Sequence, residues 1–344
     1  MHRPLVLFAA IGVALLAHCS LALDRVQTKK GTLNGVIDSV SPTEVVLGRR
    51  GKANETIAVN EIDFIQFDGE NPKLAVARKA AIDGRYQAAL KTLNSLAKQQ
   101  TGRTEIARDI KYFQVYCEAQ LALSGNGNIK DAGKQLRDFV DNNPKTYHLY
   151  EAYELLGNLF VAVDAYSQAM DYYDRVASAP WPDYKMRALV AKGRALLARK
   201  KYPEAQQAFE SAIAMDAPAD DPVSTSVRRT ATLGKATCLA DRSRYKEAIT
   251  LVEDVIVGAA SVEDAALHAE AYTTLGNCYR KAGRKKDALL AFLHVDLLYP
   301  GFPRQHAEAL ANLSELWTEL GQRQRAQEAS QVLQERYKNS PWAK

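Results

Sequence analysis

Two patterns of hydrophobic residues divide the chain behind its apolar N-terminus. Between residues 25 and 68, short runs rich in β-branched residues alternate with the turn-like segments KKG, SPT and RRGKAN. This pattern predicts five β-strands in a small, strongly bent sheet or barrel. The five runs are RVQT, TLNGVIDSV, EVVLG, ETIAVN and DFIQF. From Leu74 onward, alanine and leucine recur three and four residues apart, which predicts helices of roughly 12–18 residues and no further strand.

A seven-residue pattern recurs through the helical part. It begins with GRYQAAL (84–90) and returns as GNIKDAG (127–133), DAYSQAM (164–170), KKYPEAQ (200–206), SRYKEAI (243–249), GRKKDAL (283–289) and GQRQRAQ (321–327). The alanine at its sixth place recurs every 36 to 43 residues. In an all-helical region such a period indicates stacked helix pairs. We expect the first residue in the turn between two helices, the third at the start of the second helix, and the alanine at the helix crossing.

These copies resemble the tetratricopeptide repeat family, most closely over residues 155–176, 192–213 and 275–295. The resemblance implies a mostly α fold, with about seven helix pairs over residues 72–340 wound into a right-handed superhelix whose first helices line a concave face. The period is longer than the usual 34 residues, and SGNGN (124–128) is an insertion. Residues 23–70 form the predicted small β domain, which resembles an SH3-like or Sm-like barrel.

Residues 1–22 have the pattern of a secretory signal peptide. Arg3 precedes the apolar run LVLFAAIGVALLA, and the small residues SLA follow at 20–22. The run is short for a membrane span, so we expect cleavage near Leu23 and a periplasmic or secreted protein. Two alternatives attach the protein to a membrane: retention of the segment as an anchor, or lipidation of Cys19. A signal peptide, a small β domain and helical repeats together look like an architecture of exported bacterial proteins.

The net charge limits which binding partners the sequence predicts, and the cysteine count limits the disulfides. The formal net charge of +5 is small for 344 residues, and the two signs are interspersed. Residues 24–70 contain six basic and eight acidic residues, which disfavours the RNA binding that an Sm-like barrel would suggest. Cys117, Cys238 and Cys278 remain after the signal peptide, and an odd number excludes complete pairing. We expect buried thiols, with a Cys238–Cys278 disulfide as the alternative.

No motif in the sequence indicates catalysis. The chain lacks a P-loop, a dinucleotide-binding fingerprint and a G-x-S-x-G elbow, and its histidines and cysteines have no metal-ligand spacing. We therefore expect a protein that is not an enzyme, with no cofactor, no metal, no nucleic acid and no small-molecule substrate.

The repeat phase places several polar residues on the concave face. They are Glu154, Asn158, Arg187, Arg194, Asn277, Arg280 and Lys281. One interpretation is that the last six form a groove for a protein partner; the other is that they only solvate an exposed surface. The family's carboxylate-clamp pattern is not met, because Glu154 stands where a lysine would be. Trp342 is expected to cover the last helix or to meet a partner.

These features predict an exported, non-catalytic scaffold or adaptor of the bacterial cell envelope. It would bind a segment of an envelope protein in the concave groove. The alternative is a structural subunit of an envelope complex, or a solenoid that self-assembles without using the groove for peptides.

Overall fold

The computed structural model describes residues 23–49, 51–99, 102–218, 221–259 and 265–343. The predicted signal peptide and Cys19 lie outside these ranges. Within them the chain forms five β-strands followed by fourteen α-helices, and no described helix has the length and apolar character needed to cross a membrane. The predicted change from strand to helix near residue 72 is confirmed.

The strands form one antiparallel sheet. They are β1 (Asp24–Thr28), β2 (Gly31–Val40), β3 (Glu44–Gly48), β4 (Glu55–Ala58) and β5 (Ile62–Gln66), with a 3-10 turn at Val59–Glu61. Their order is β4-β3-β2-β1-β5, and register shifts interrupt the β1–β5 and β2–β3 pairings. Such irregularities bend a sheet. The five predicted strands are confirmed, while the SH3-like or Sm-like identity stays a prediction.

The helices form seven consecutive pairs. They are α1 (Lys73–Ile82) with α2 (Tyr86–Leu96), α3 (Thr104–Leu123) with α4 (Ile129–Asn142), α5 (Leu149–Val161) with α6 (Tyr166–Ala177), α7 (Pro182–Ala198) with α8 (Tyr202–Ala214), α9 (Pro222–Asp241) with α10 (Tyr245–Gly258), α11 (Ala265–Lys281) with α12 (Lys285–Leu298), and α13 (Pro303–Glu319) with α14 (Arg323–Tyr337). Each odd-numbered helix also packs on the next odd-numbered one. The first helices of the pairs therefore form the inner layer of a solenoid.

The turn inside each pair explains the first place of the repeated pattern. Six of its residues have a positive φ: Gly84, Asp164, Lys200, Ser243, Gly283 and Gly321. The next residue donates its N–H to a carbonyl five positions back, as Arg85 does to Ala80 at 2.8 Å. This left-handed cap ends the first helix and lets the second begin two residues later. In the second copy the insertion moves the positive φ to Gly125.

The crossing inside each pair depends on matched side-chain sizes. A Cβ atom at Gly157 would lie 2.3 Å from the ring of Tyr173, and Gly193 and Gly276 face phenylalanine rings in the same way, with closest approaches of 2.7 Å. Where the second helix has Leu93 or Val252, the first has Ala77 or Ala236, all fully or nearly fully buried. The seven repeated alanines are at most 6% exposed. A large residue on one helix thus requires a smaller one opposite.

The β-sheet and the first helices share one hydrophobic cluster. It joins Val26, Val45, Leu47 and Ile65 of the strands to Leu74, Leu93, Ile110, Leu136 and Leu156 of the helices. Two polar contacts add to it: Arg103 binds Asp24 at 2.6 Å, and Asn60 donates to Asp183 of α7 at 3.3 Å. The sheet is therefore fixed on the solenoid.

A buried charge network lies beneath this junction. Arg78 of α1 binds both carboxylate oxygens of Glu70 at 2.8 Å, and its Nε donates to Asp109 of α3 at 2.6 Å. Asp109 also accepts from the Tyr147 hydroxyl at 2.8 Å and lies 3.0 Å from Nε2 of His148. Because these groups are buried, losing one would leave its partner uncompensated. The network fixes the linker after the sheet to three consecutive helix pairs.

The three described cysteines are buried free thiols. Burial raises the pKa of Cys117, Cys238 and Cys278 to about 12 in each case, so the thiols remain protonated near neutral pH. The prediction of buried thiols is confirmed, and the alternative of a Cys238–Cys278 disulfide is wrong.

We expect Gly157→Ala to lower the free energy of unfolding by about 1–3 kcal/mol, because the new Cβ would overlap the ring of Tyr173. The matched control is Gly133→Ala in α4, where a Cβ would meet nothing within 4 Å. That change should raise stability by roughly 0.5–1 kcal/mol through helix propensity. Urea denaturation measures both. Equal effects of the two substitutions would contradict the proposed size matching.

The His148 side chain should make stability depend on pH. Burial alone would lower its pKa, but the hydrogen bonds to Asp109 at 3.0 Å and Glu151 at 3.3 Å raise it above the ordinary value. The stabilisation that His148 provides is therefore fully present at pH values below its unfolded-state pKa of about 6.5. It is lost as the pH rises through the folded-state pKa. We expect the free energy of unfolding to fall as the pH rises above about 6.5, through the raised folded-state pKa of His148.

The matched variants for this pH effect are His148→Gln and His294→Gln. The first removes the titrating group and should flatten the pH slope, while the second removes an exposed histidine of α12 and should leave the slope unchanged. Denaturant titrations at several pH values measure the slopes. An unchanged slope in His148→Gln would rule out this histidine as its source.

Candidate functional site: the concave face and its central cavity

Two of the predicted groove residues, Arg187 and Asn158, make specific polar contacts with other side chains of the solenoid. Arg187 of α7 binds Glu154 of α5 at 2.6 Å, and its guanidinium lies 4.6 Å from the ring centre of Tyr184. Asn158 accepts a hydrogen bond from the Tyr173 hydroxyl at 2.9 Å. These contacts fix the orientation of both side chains.

Two further contacts connect different helix pairs of the inner layer. Arg194 of α7 binds Glu270 of α11 at 2.5 Å, so it reaches across α9. Asn277 of α11 donates to Glu308 of α13 at 2.8 Å. Burial raises the pKa of the Glu308 carboxyl, although the Asn277 hydrogen bond opposes that shift. Polar contacts therefore run along the inner layer from one helix pair to the next.

The last two predicted groove residues are also paired within the chain. Arg280 donates to Asn312 at 2.5 Å and to Glu315, and Lys281 binds Asp241. The sequence alone did not indicate these intramolecular partners, because they come from neighbouring repeats 32 to 40 positions away. Whether the six residues contact a partner protein stays a prediction.

A central cavity of about 590 Å³ lies on the concave side. Its walls come from α2, α3, α5, α6, α7, the start of α13, the end of α14 and the C-terminal segment that follows. Asn158 and Arg194 are the predicted groove residues that line it, while Arg187, Asn277, Arg280 and Lys281 lie outside its lining. Two of the six predicted groove residues therefore line the cavity, and the other four do not.

The C-terminal segment closes this cavity against an early helix pair. A Cβ atom at Gly125, between α3 and α4, would lie 2.4 Å from the backbone oxygen of Asn339. Tyr337 is anchored nearby, because its hydroxyl lies 2.8 Å from Nδ1 of His306, whose Nε2 is 2.8 Å from Asp296. The second and last helix pairs thus meet, and the concave face becomes a nearly closed ring.

Most lining residues were not among the predicted groove residues, and three of them matter for the chemistry of the cavity. They are Arg304, Ser340 and Trp342. Arg304 lies in the first turn of α13, and Trp342 packs beside the cluster around Leu310 and Leu333 while also facing the cavity. The expectation that Trp342 covers the last helix is confirmed. The repeat phase did not single out the other two, because Arg304 lies in the first turn of a helix and Ser340 follows the last helix.

The described part of the chain contains no group of three histidine, cysteine, aspartate or glutamate side chains arranged to hold a metal. The cavity lining combines aromatic rings with amide, hydroxyl and guanidinium groups. Such a surface can bind a ligand by burial and hydrogen bonding.

Comparisons with known proteins agree with this fold. Residues 190–264 match the family described as tetratricopeptide repeat. A Rap protein in complex with Competence and Sporulation Factor superposes with a TM-score of 0.53 at 16% identity, covering 78% of this chain and 76% of that one. No curated protein sequence matches the chain.

Two further solved structures are similar at lower TM-scores. A tetratricopeptide repeat protein from Parabacteroides merdae covers 77% of this chain and 92% of its own, with 14% identity and a TM-score of 0.49. The type IV pilus biogenesis factor PilW covers 68% and 96%, with 17% identity and a TM-score of 0.43. The helix pairs and the family match over residues 190–264 together describe an α-solenoid like that of tetratricopeptide repeats, preceded by a small antiparallel β-sheet.

The ring closure can be tested with two glycines of positive φ. Gly125→Ala and Gly283→Ala both place a side chain in the left-handed region, at about 1–2 kcal/mol each. Only the first would push a Cβ into Asn339, since nothing lies within 4 Å of Gly283. We expect faster hydrogen exchange in residues 337–343 for Gly125→Ala alone. Equal exchange in the two variants would contradict the closure.

Proposed function

We propose that this protein is a non-catalytic scaffold that binds a segment of a partner protein on its concave face. The observation that carries the proposal is the cavity enclosed between the early helix pairs and the C-terminal segment. Solenoids of this type commonly bind extended or helical segments on their inner surface. The similarity in fold to a Rap protein in complex with Competence and Sporulation Factor supports this proposal.

The proposed location is the bacterial cell envelope. It is supported by the basic and apolar start of the chain and by the small residues before Leu23. The proposed partner is accordingly an exported or membrane-attached protein of the envelope. Retention or lipidation of the N-terminus would place the solenoid at the membrane.

A photo-crosslinking amino acid at Ala198 or Gln305, both in the cavity lining, should capture the partner in intact cells. The control position is Lys246, which is exposed on α10 outside the lining. We expect one crosslinked protein shared by the two cavity positions and absent at Lys246. Immunoblotting and mass spectrometry identify it. The same captured proteins at all three positions would count against binding in the cavity.

A second candidate function, self-assembly of the solenoid, is supported by an apolar surface on α12. Leu290, Leu297 and Leu298 are 58%, 71% and 63% exposed on one side of this helix. Exposed leucines so close together often mark an interface. A second copy of the chain would bury them.

Sedimentation velocity at increasing protein concentration tests this second function. We expect larger species in the unmodified protein and their loss in Leu297→Gln. The control is Val76→Gln on α1, which removes an equally exposed apolar residue outside the α12 surface. A monomer at every concentration would exclude self-assembly through α12.

A further inference from the structure

The lining of the central cavity carries positive charge without negative charge. Arg194 enters from α7 and Arg304 from the first turn of α13, while no aspartate or glutamate lies among the described lining residues. Elsewhere on the inner layer, Arg187 has Glu154 beside it and Arg280 has Glu315. The cavity is therefore the part of the concave face where charge complementarity calls for an acidic ligand.

Arg304 is the cation available for such a ligand. Arg194 already binds Glu270 at 2.5 Å, whereas Arg304 interacts electrostatically with Glu308 one turn along α13, and burial raises the pKa of that carboxyl. Arg304 is the second residue of a 17-residue helix whose N-cap residue, Phe302, supplies no capping side chain. The free N–H groups of that first turn add positive potential beside the guanidinium.

A second polar group of the cavity wall lacks a partner. Ser340 is only 4% exposed, and its hydroxyl makes no hydrogen bond with any described residue. Unpaired buried hydroxyls are uncommon because they lose hydration without compensation. Ser340 lines the same cavity as Arg304, so the cavity wall includes an unsatisfied hydroxyl as well as the guanidinium group.

The remaining wall is largely aromatic. Tyr86, Tyr173, Phe302, Tyr337 and Trp342 contribute to the lining. Aromatic walls favour a ligand with a bulky apolar group. The volume of about 590 Å³ lies in the range typical of pockets for compact ligands, so the cavity accepts a short segment and not a folded domain.

We propose that the central cavity binds a short peptide segment in which a carboxylate neighbours a bulky apolar side chain. Arg304 receives the carboxylate, and the aromatic residues enclose the apolar side chain. This inference rests on the proposed function and specifies the chemistry of the bound segment.

The test selects binding peptides from a random hexapeptide library displayed on phage, using the full-length protein. We expect enrichment of sequences with aspartate or glutamate beside leucine, phenylalanine or tryptophan. Synthetic labelled copies then provide affinities by fluorescence anisotropy. Arg304→Gln should weaken binding about tenfold or more, as expected for loss of a charge-assisted hydrogen bond. An amide replacing the carboxylate in the peptide should weaken it similarly.

The matched control is Arg323→Gln, which removes the same charge from the first turn of α14, outside the cavity lining. It should bind the selected peptides like the unmodified protein. Peptides enriched without acidic residues, or equal effects of the two substitutions, would overturn the acidic preference while leaving segment binding on the concave face intact.

A third arm distinguishes a peptide from a small anion. Inorganic phosphate is titrated into the protein and into the protein–peptide complex. Binding of phosphate without enrichment of any peptide would overturn the peptide as the ligand. Failure to enrich peptides or to bind phosphate would overturn the whole inference, and the crosslinks from Ala198 and Gln305 would still report separately on a protein partner.

Discussion

The close crossing of the two helices within each pair is the constraint on which the whole solenoid depends. Gly157, Gly193 and Gly276 allow an aromatic ring of the second helix to lie almost against the backbone of the first. With Ala77 and Ala236 the opposing side chains are aliphatic and smaller. Because the two sizes vary together, neighbouring pairs keep a similar separation and can stack in one inner layer.

The ring closure follows from the accumulation of these crossings. Each pair adds a rotation, and after seven pairs the C-terminal segment meets the corner between α3 and α4. Gly125 permits the approach because it has no side chain at the point nearest Asn339. The insertion that departs from the usual repeat thus supplies the contact that encloses the cavity. At the other end, the Arg78 network and the shared hydrophobic cluster fix the β-sheet on the first pairs.

The local architecture could be predicted from the sequence because short-range rules determine it. The third place of the pattern begins every second helix, and the alanines at the sixth place are buried, as Ala205 and Ala288 show. Ring closure could not be predicted, since small rotations add up over seven pairs and no single residue encodes their sum. The partners of Arg194 and Lys281 were also not predicted, because they come from other repeats. Arg304 falls outside the repeated segments and carried no signal.

The cations of the concave face differ in whether a carboxylate of the chain already binds them, and this difference determines which of them can bind a partner. Arg187 and Arg280 are satisfied by carboxylates of neighbouring helices, so a partner would have to displace those contacts to reach them. That exchange yields little net free energy, because one ion pair replaces another. An acidic group that meets Arg304 joins Glu308, whose carboxyl pKa is raised by burial, and gains the field of an uncapped helix start. Inner-face charges of the first kind therefore stabilise the shape of the solenoid, and those of the second kind select what enters it.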